Sequence, residues 1–160
     1  MNRGKRMVQN SRYKTIVVPI DGSGWSERAI PHAADIARNN DAEIILLHVL
    51  RPPASEYTDQ IALGGGEEQL QQIREEMKQK LIALRNGLRA QGIDARVQVI
   101  EGVGVASLIC DFINDQDVDL VVMSSHGRSG ISRFIFGSVA QKVMQDVNVP
   151  VMIIRPDREN

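Results

Sequence analysis

The chain is poor in cysteine, in long apolar runs and in net charge, and each shortage excludes a class of protein. Its single cysteine, Cys110, cannot form an internal disulfide, which excludes a disulfide-stabilised scaffold and favours a reducing compartment. No apolar run approaches the roughly 18 residues typical of a membrane-spanning helix. The N-terminus also lacks an apolar signal segment. We therefore expect a cytoplasmic protein without a membrane partner.

The net charge of −1 gives little surplus of either sign, which argues against nucleic acid as the main partner. Residues 1–12 are basic, and we interpret them as a flexible N-terminal tail; a nucleic-acid-binding arm remains the alternative. The three histidines and one cysteine show no metal-ligand spacing. The sequence therefore predicts no metal site made by the protein alone.

What the chain has is an alternation of apolar strand-like runs with segments of helical periodicity. Its length of 160 residues suits one domain, which we place at 13–156. The predicted strands are 14–20, 43–50, 95–101, 119–124 and 150–155, and the predicted helices are 26–39, 67–91, 105–114 and one beginning near 138. Such alternation predicts an α/β fold with a parallel sheet and helices on both faces. The third strand is the most alternating in polarity, which suits an edge.

The longest predicted helix carries one apolar seam. Its members follow one another at spacings of three and four: Leu70, Ile73, Met77, Leu81, Leu84 and Leu88. Packing on the sheet is favoured over a free coiled coil, because the repeat is short. Cys110 lies among apolar residues of another predicted helix, which favours a buried thiol over a reactive one.

The segment from Ser124 to Met144 combines a strand end, a loop rich in glycine and serine, and a helix start. Glycine lets backbone N–H groups approach an anion, and a helix N-terminus presents unpaired donors. We place the Ser138 hydroxyl at about the N-cap position. The pattern predicts a phosphate site, although an ordinary strand-to-helix connection fits the same residues.

Two other glycine clusters carry weaker signals. Gly102-Val103-Gly104 lacks the third glycine of a dinucleotide fingerprint, because Ser107 stands there. The run 64–66 lacks the lysine and hydroxyl residue of a phosphate loop, and we interpret it as part of a flexible connector.

Taken with its strands, this loop resembles the universal stress protein family in its ATP-binding branch. The resemblance spans Tyr13 to Pro156 and rests on YKTIVVPIDGS, IILLHV, DLVVM and VPVMIIR, and on Gly127 followed by nine residues and then Gly137-Ser138. Ser124 stands where the family pattern has its first glycine. The resemblance implies a single-domain, five-stranded parallel sheet of order 3-2-1-4-5, adenine nucleotide α-hydrolase-like. In that order, ligands bind beyond the carboxyl ends of strands one and four.

The resemblance also implies a site for ATP with Mg²⁺ or Mn²⁺. Its expected binding residues are Pro19, Ile20, Asp21, Val49, Met123, Ser124, His126, Gly127, Arg128, Gly130, Gly137, Ser138 and Val139. Asp21 would help hold the metal against the phosphates, and a cap or turn role is its alternative. For His126 and Arg128, phosphate contact and a solvent-exposed side chain both remain open, with an exposed loop histidine preferred at 126.

As a member of this family, the chain would be an ATP-binding stress-response or signalling module. It would form a homodimer through its C-terminal strand, with a further protein partner unknown. No nucleophile-and-base pair is visible, so we expect at most slow ATP hydrolysis. The alternatives are a structural or interaction protein that binds no nucleotide and a true ATP-hydrolysing enzyme.

Overall fold

A parallel sheet with helices on both faces forms the fold. The computed structural model describes residues 12–52, 66–126 and 136–156. The strands are β1 (Thr15–Pro19), β2 (Glu43–Leu50), β3 (Ala95–Glu101), β4 (Leu120–Ser124) and β5 (Val151–Ile154). The helices are α1 (Gly24–Glu27), α2 (Ala29–Asn40), α3 (Gly66–Ala90), α4 (Val105–Asp115) and α5 (Ser138–Asp146).

The strand order is β3-β2-β1-β4-β5, and every pairing is parallel, so the predicted fold is confirmed. β3 lies at an edge as its polarity pattern indicated. The pairing of β1 with β4 is short, because only Ile16 with Leu120 and Val17 with Val121 are in register. The chain reverses its direction of winding at this central pair, which is the switch point where ligands bind in such sheets.

Alternate side chains of each central strand enter two separate cores. Ile16 and Val18 point to the core formed with α2 and α3, whereas Val17 points to the core formed with α4 and α5. All three are fully buried. A central strand covered on both faces is apolar at every position, which explains the unbroken run in β1.

Cys110 is buried in the α4–α5 core, as the sequence predicted. Burial raises the pKa of its thiol above the usual value, with a smaller contribution from the Asp146 carboxylate. The neutral thiol is therefore favoured, and the residue acts as a small apolar core group.

The prediction of one helix from Ser26 to Asn39 is wrong, since the segment forms α1 and α2 with Arg28 between them. Pro31 is the third residue of α2 and has no N–H to donate to the carbonyl of residue 27. The Ser23 side chain caps α1 by accepting from the Ser26 N–H. The break places a tight turn directly after β1.

The other predicted elements agree with the structure to within one or two residues. The tail, apart from Arg12, and most of the connector 51–66 lie outside the described residues. Within 12–52, 66–126 and 136–156, no helix combines the length and apolarity needed to cross a membrane.

Candidate functional site

A cavity of about 440 Å³ opens at the carboxyl ends of β1, β2 and β4. Its position follows from the short β1–β4 pairing, because the ends of the two strands are not in register beyond Val17 and Val121. Ten predicted site residues line it: Pro19, Ile20, Asp21, Val49, Met123, Ser124, His126, Gly137, Ser138 and Val139. The fold therefore brings the predicted loops together around one space.

Two contacts fix the end of β1 against β2. The Ile20 N–H donates to the Leu47 carbonyl at 2.8 Å. His48 Nδ1 lies 2.8 Å from the Ile20 carbonyl oxygen, and since a carbonyl only accepts, Nδ1 is the donor. His48 is buried, and this contact gives it a structural role at the end of β1.

Asp21 begins a hydrogen-bonded turn at the cavity wall. Its Oδ1 accepts from the Ser23 N–H at 2.9 Å and from the Ser23 hydroxyl at 2.6 Å. The Asp21 N–H donates to Ser26 Oγ at 3.2 Å, and Ser26 Oγ donates to the Ser23 carbonyl at 2.9 Å. Asp21 is therefore a turn residue, as its alternative interpretation held, and the residue also lines the cavity.

Lys80 of α3 joins this turn to the long helix. Its ammonium donates to the Gly22 carbonyl at 2.7 Å and lies 2.5 Å from Glu27 Oε1. Gly22 has a φ of 89°, a left-handed conformation that favours glycine. The helix and the turn after β1 are thus connected at one cationic side chain.

Residues 124–126 leave β4 in a conformation held by their own side chains. Ser124 Oγ donates to the His126 carbonyl at 2.6 Å, and the buried Ser125 Oγ lies 2.9 Å from His126 Nδ1. The second ring nitrogen of His126, Nε2, is buried and has no hydrogen-bond partner among the residues that the structure describes. The interpretation of His126 as an exposed loop histidine is therefore wrong, because the pairing with Ser125 turns its ring inward.

The start of α5 is attached to the end of β4 through backbone atoms. The Gly137 N–H donates to the Ser125 carbonyl at 2.8 Å. A Cβ at Gly137 would lie 3.3 Å from that oxygen and 3.7 Å from His126 Cα, so this glycine permits a close backbone approach. Gly137, not Ser138, is the N-cap, and Ser138 is the first helical residue.

Three consecutive residues at the start of α5 line the cavity: Ser138, Val139 and Ala140. Backbone N–H groups in the first turn of a helix have no partner within the helix, and they carry the positive end of its dipole. The cavity wall on the β4 side therefore offers donors suited to an anion.

The opposite wall comes from one face of α3, which the sequence analysis had assigned to packing on the sheet. Leu70, Ile73, Arg74 and Met77 line the cavity. Farther along the same seam, Leu81 and Leu88 are each 1% exposed and belong to the core. The seam is thus shared between the cavity and the core, and Met77 contacts both.

Asp21 is the one predicted metal ligand, and the described residues contain no group of three or more histidine, cysteine, aspartate or glutamate side chains able to hold a metal. A single carboxylate fits a divalent cation only if the ligand supplies further oxygens, as phosphates would. Gly127, Arg128 and Gly130, also predicted from the sequence, lie outside the described residues.

The family model that matches this chain is that of the universal stress protein family, over residues 12–155. The chain belongs to this family. Its relatives include the universal stress protein MJ0531 of Methanocaldococcus jannaschii, which is 31% identical over 147 residues, covering 92% of this chain and 85% of the relative.

Solved structures of universal stress proteins share the fold. The structure of MJ0577 from Methanocaldococcus jannaschii has a TM-score of 0.77 and 27% identity, covering 92% of this chain and 99% of that chain. A universal stress protein from Archaeoglobus fulgidus, solved in complex with dAMP, has a TM-score of 0.62 and 25% identity, covering 89% and 98%.

Several residues of this universal stress protein that line the cavity had not been predicted. Arg51 and Arg74 bring cationic groups to the β2 side, and the buried Ser125 orients His126. The alternation of spacing in the α3 seam was visible in the sequence, but nothing in it separates a ligand wall from a core contact. For Arg51 and Arg74, no sequence pattern distinguishes them from solvated surface arginines.

Proposed function

We propose that this universal stress protein binds an adenine nucleotide, ATP together with Mg²⁺ or Mn²⁺, in the cavity at the carboxyl ends of β1, β2 and β4. The observation that carries the proposal is that the start of α5 and His126 lie at the same cavity. The first-turn residues of α5 line the cavity, and the buried His126 Nε2 has no hydrogen-bond partner in the part of the chain that the structure describes. A phosphate oxygen or ribose hydroxyl would supply one.

The dAMP complex of the Archaeoglobus fulgidus relative supports the choice of an adenine nucleotide. The preference for ATP and a metal rests on Asp21. Its carboxylate faces a cavity that would also hold phosphates, and a divalent cation would offset the repulsion between these charges.

The protein is proposed to sense or signal adenine nucleotide state in the cytoplasm under stress. Efficient hydrolysis is not expected, because the sequence shows no evident general base for the attacking water. A general base needs an unengaged lone pair directed at the attacking water. ATP would therefore act as a bound signal more than as a consumed substrate.

Titration calorimetry and analysis of bound ligand test this function. The nucleotide released when the purified protein is denatured should be an adenine nucleotide. The folded protein should bind ATP and AMP, and it should bind GTP more weakly. Absence of released nucleotide together with no heat of binding for ATP or AMP, with and without Mg²⁺, would refute the proposal.

A family member that binds no nucleotide is the second candidate, and Ser124 is the observation that favours it. Its hydroxyl closes the turn onto the His126 carbonyl at 2.6 Å, in the position where the family pattern has glycine. If Ser124 is compatible with binding, Ser124→Gly should change ATP affinity by less than about threefold. A hundredfold gain in affinity would show that serine disables the site.

We also propose a homodimer through β5. This strand lies at the sheet edge, and Met152 is 40% exposed on it. An apolar edge strand is a template for pairing with another strand. A two-fold arrangement of two β5 strands would cover both edges at once.

A further inference from the structure

Two apolar residues of α3, Ile73 and Met77, lie where the helix passes the cavity. Ile73 is 37% exposed although it occupies a seam position, and Met77 is only partly buried. Both line the cavity. Ile73 therefore offers exposed apolar surface at the cavity, and Met77 contacts both the cavity and the core.

Arg74 lies on the same face, and the described residues accept few of the hydrogen bonds that its guanidinium can donate. Its side chain is 32% exposed, and its contact within the described chain is a 3.7 Å approach to Glu101 Oε1, longer than a hydrogen bond. A guanidinium carries five N–H donors in a rigid plane. A ligand in the cavity would provide acceptors for donors that the described residues leave unmatched.

The side of the cavity on which this face lies indicates which part of a nucleotide it would meet. The first-turn amides of α5 stand on the β4 side, whereas Arg74 stands beside Glu101 at the end of β3. β1 and β2 lie between these two walls in the sheet order. A phosphate chain at α5 therefore places the nucleoside toward α3.

We propose that Ile73, Arg74 and Met77 form a nucleoside-recognition wall on α3. Ile73 and Met77 cover the face of the base, and the unbranched, polarisable Met77 adapts to its outline. Arg74 donates to an acceptor of the nucleoside, a ring nitrogen or a ribose hydroxyl. This assignment rests on the proposed nucleotide function and adds the residues that would set base selectivity.

The wall is tested by titrating adenosine, AMP and ATP into Ile73→Ala and Met77→Ala. Each variant should lose about threefold to tenfold in affinity for all three ligands, because the contact is with the part they share. The loss should be the same with Mg²⁺ and with a chelator. Leu84→Ala is the matched control, since Leu84 and Met77 both pack against the core on the same seam but Leu84 does not line the cavity. It should lower the melting temperature and leave affinity unchanged.

Arg74→Gln separates recognition of the nucleoside from recognition of phosphate. It should weaken adenosine and ATP binding equally, by about tenfold. The control is Arg85→Gln, because Arg85 of α3 bonds only to the neighbouring Asn86 among the described residues. A loss confined to AMP and ATP would overturn the assignment of Arg74 to the nucleoside.

The possible failures are distinguishable. A parent protein that binds neither adenosine, AMP nor ATP refutes the proposed function itself. A parent that binds, with Ile73→Ala and Met77→Ala variants that are folded and unchanged in affinity, overturns the wall while leaving the proposed function standing.

Discussion

Gly137 stands where the backbone leaving β4 comes closest to the start of α5. We expect Gly137→Val to lower ATP affinity tenfold or more, through loss of one or two charge-assisted contacts of about 1.5–3 kcal/mol each. Its Cβ would meet the Ser125 carbonyl at 3.3 Å, so the added side chain crowds the backbone leaving β4 beside the proposed phosphate site. Calorimetry on the folded variant measures the affinity.

Gly87→Ala is the control for this substitution. Gly87 lies inside α3 with open space around it, so alanine should raise stability by about 0.5–1 kcal/mol and leave affinity unchanged. Equal ATP affinities for the parent and Gly137→Val would remove the start of α5 from the binding site.

Asp21 combines a turn contact with a place at the cavity, and the two roles respond differently to substitution. Asp21→Asn keeps an oxygen that can accept from Ser23 but removes the charge. The parent should bind ATP better with Mg²⁺ than with a chelator, and the variant should lose much of that difference. AMP, which carries less charge, should be affected less. The measurement is an ATP and AMP titration in both conditions.

A full Mg²⁺ response in Asp21→Asn would leave Asp21 as a turn residue alone. The metal role would then be withdrawn, although nucleotide binding by α5 and the His126 side chain would still stand as a proposal.

At the scale of elements, Lys80 makes α3 and the turn after β1 dependent on each other. Lys80→Met removes the hydrogen bond to Gly22 and the ion pair with Glu27. Both partners are partly exposed, so the expected loss of stability is modest, about 1 kcal/mol. Urea denaturation measures it, and amide hydrogen exchange in residues 21–26 should increase.

Lys78→Met is the matched control, because Lys78 is more exposed and lies 4.0 Å from Glu75 on the same helix. It should leave stability and exchange in the turn unchanged. If Lys80→Met behaves like this control, the contact does not stabilise the turn.

The bounds of most strands and helices could be predicted because burial imposes a clear period on the sequence. β2 and β3 were placed at their observed bounds, since a turn at Asp41 and the polar Arg51 border β2, and Asp94 and Gly102 border β3. The division into α1 and α2 was missed because proline is tolerated in the first turn of a helix. Pro31 fits the first turns of one helix beginning at Ser26, whereas in the structure it lies in the first turn of α2.

The sequence was enough to predict which loops form the site, but not which side chains contact one another there. Strand order, which followed from family resemblance, was enough to bring Asp21 and Ser138 to one cavity. The inward orientation of His126 depends on its pairing with Ser125, a contact between neighbouring side chains that composition does not encode. Whether a seam residue such as Ile73 faces core or cavity depends on where the sheet ends.

At the scale of the whole molecule, substitutions at the two edges of the sheet should differ in their effect on dimer formation. Met152→Asp on β5 should convert the proposed dimer to a monomer, because a charge would be buried without a partner in the interface. Val99→Asp on β3 is the matched control, since Val99 is 45% exposed on the opposite edge. It should leave the association state unchanged.

Light scattering at micromolar concentration measures both variants against the parent. A parent that is a stable monomer at that concentration would remove the dimer. Dissociation by Val99→Asp but not by Met152→Asp would move the interface to β3.

The short register between β1 and β4 has a mechanical consequence. Two in-register pairs join the β3-β2-β1 half of the sheet to the β4-β5 half, fewer than in any other strand pairing of the sheet. A ligand in contact with both α3 and α5 would bridge the two halves as a non-covalent cross-link. Ligand in the cavity would then increase the force needed to separate the two halves. A partner bound at either edge of the sheet could respond to that change without contacting the ligand.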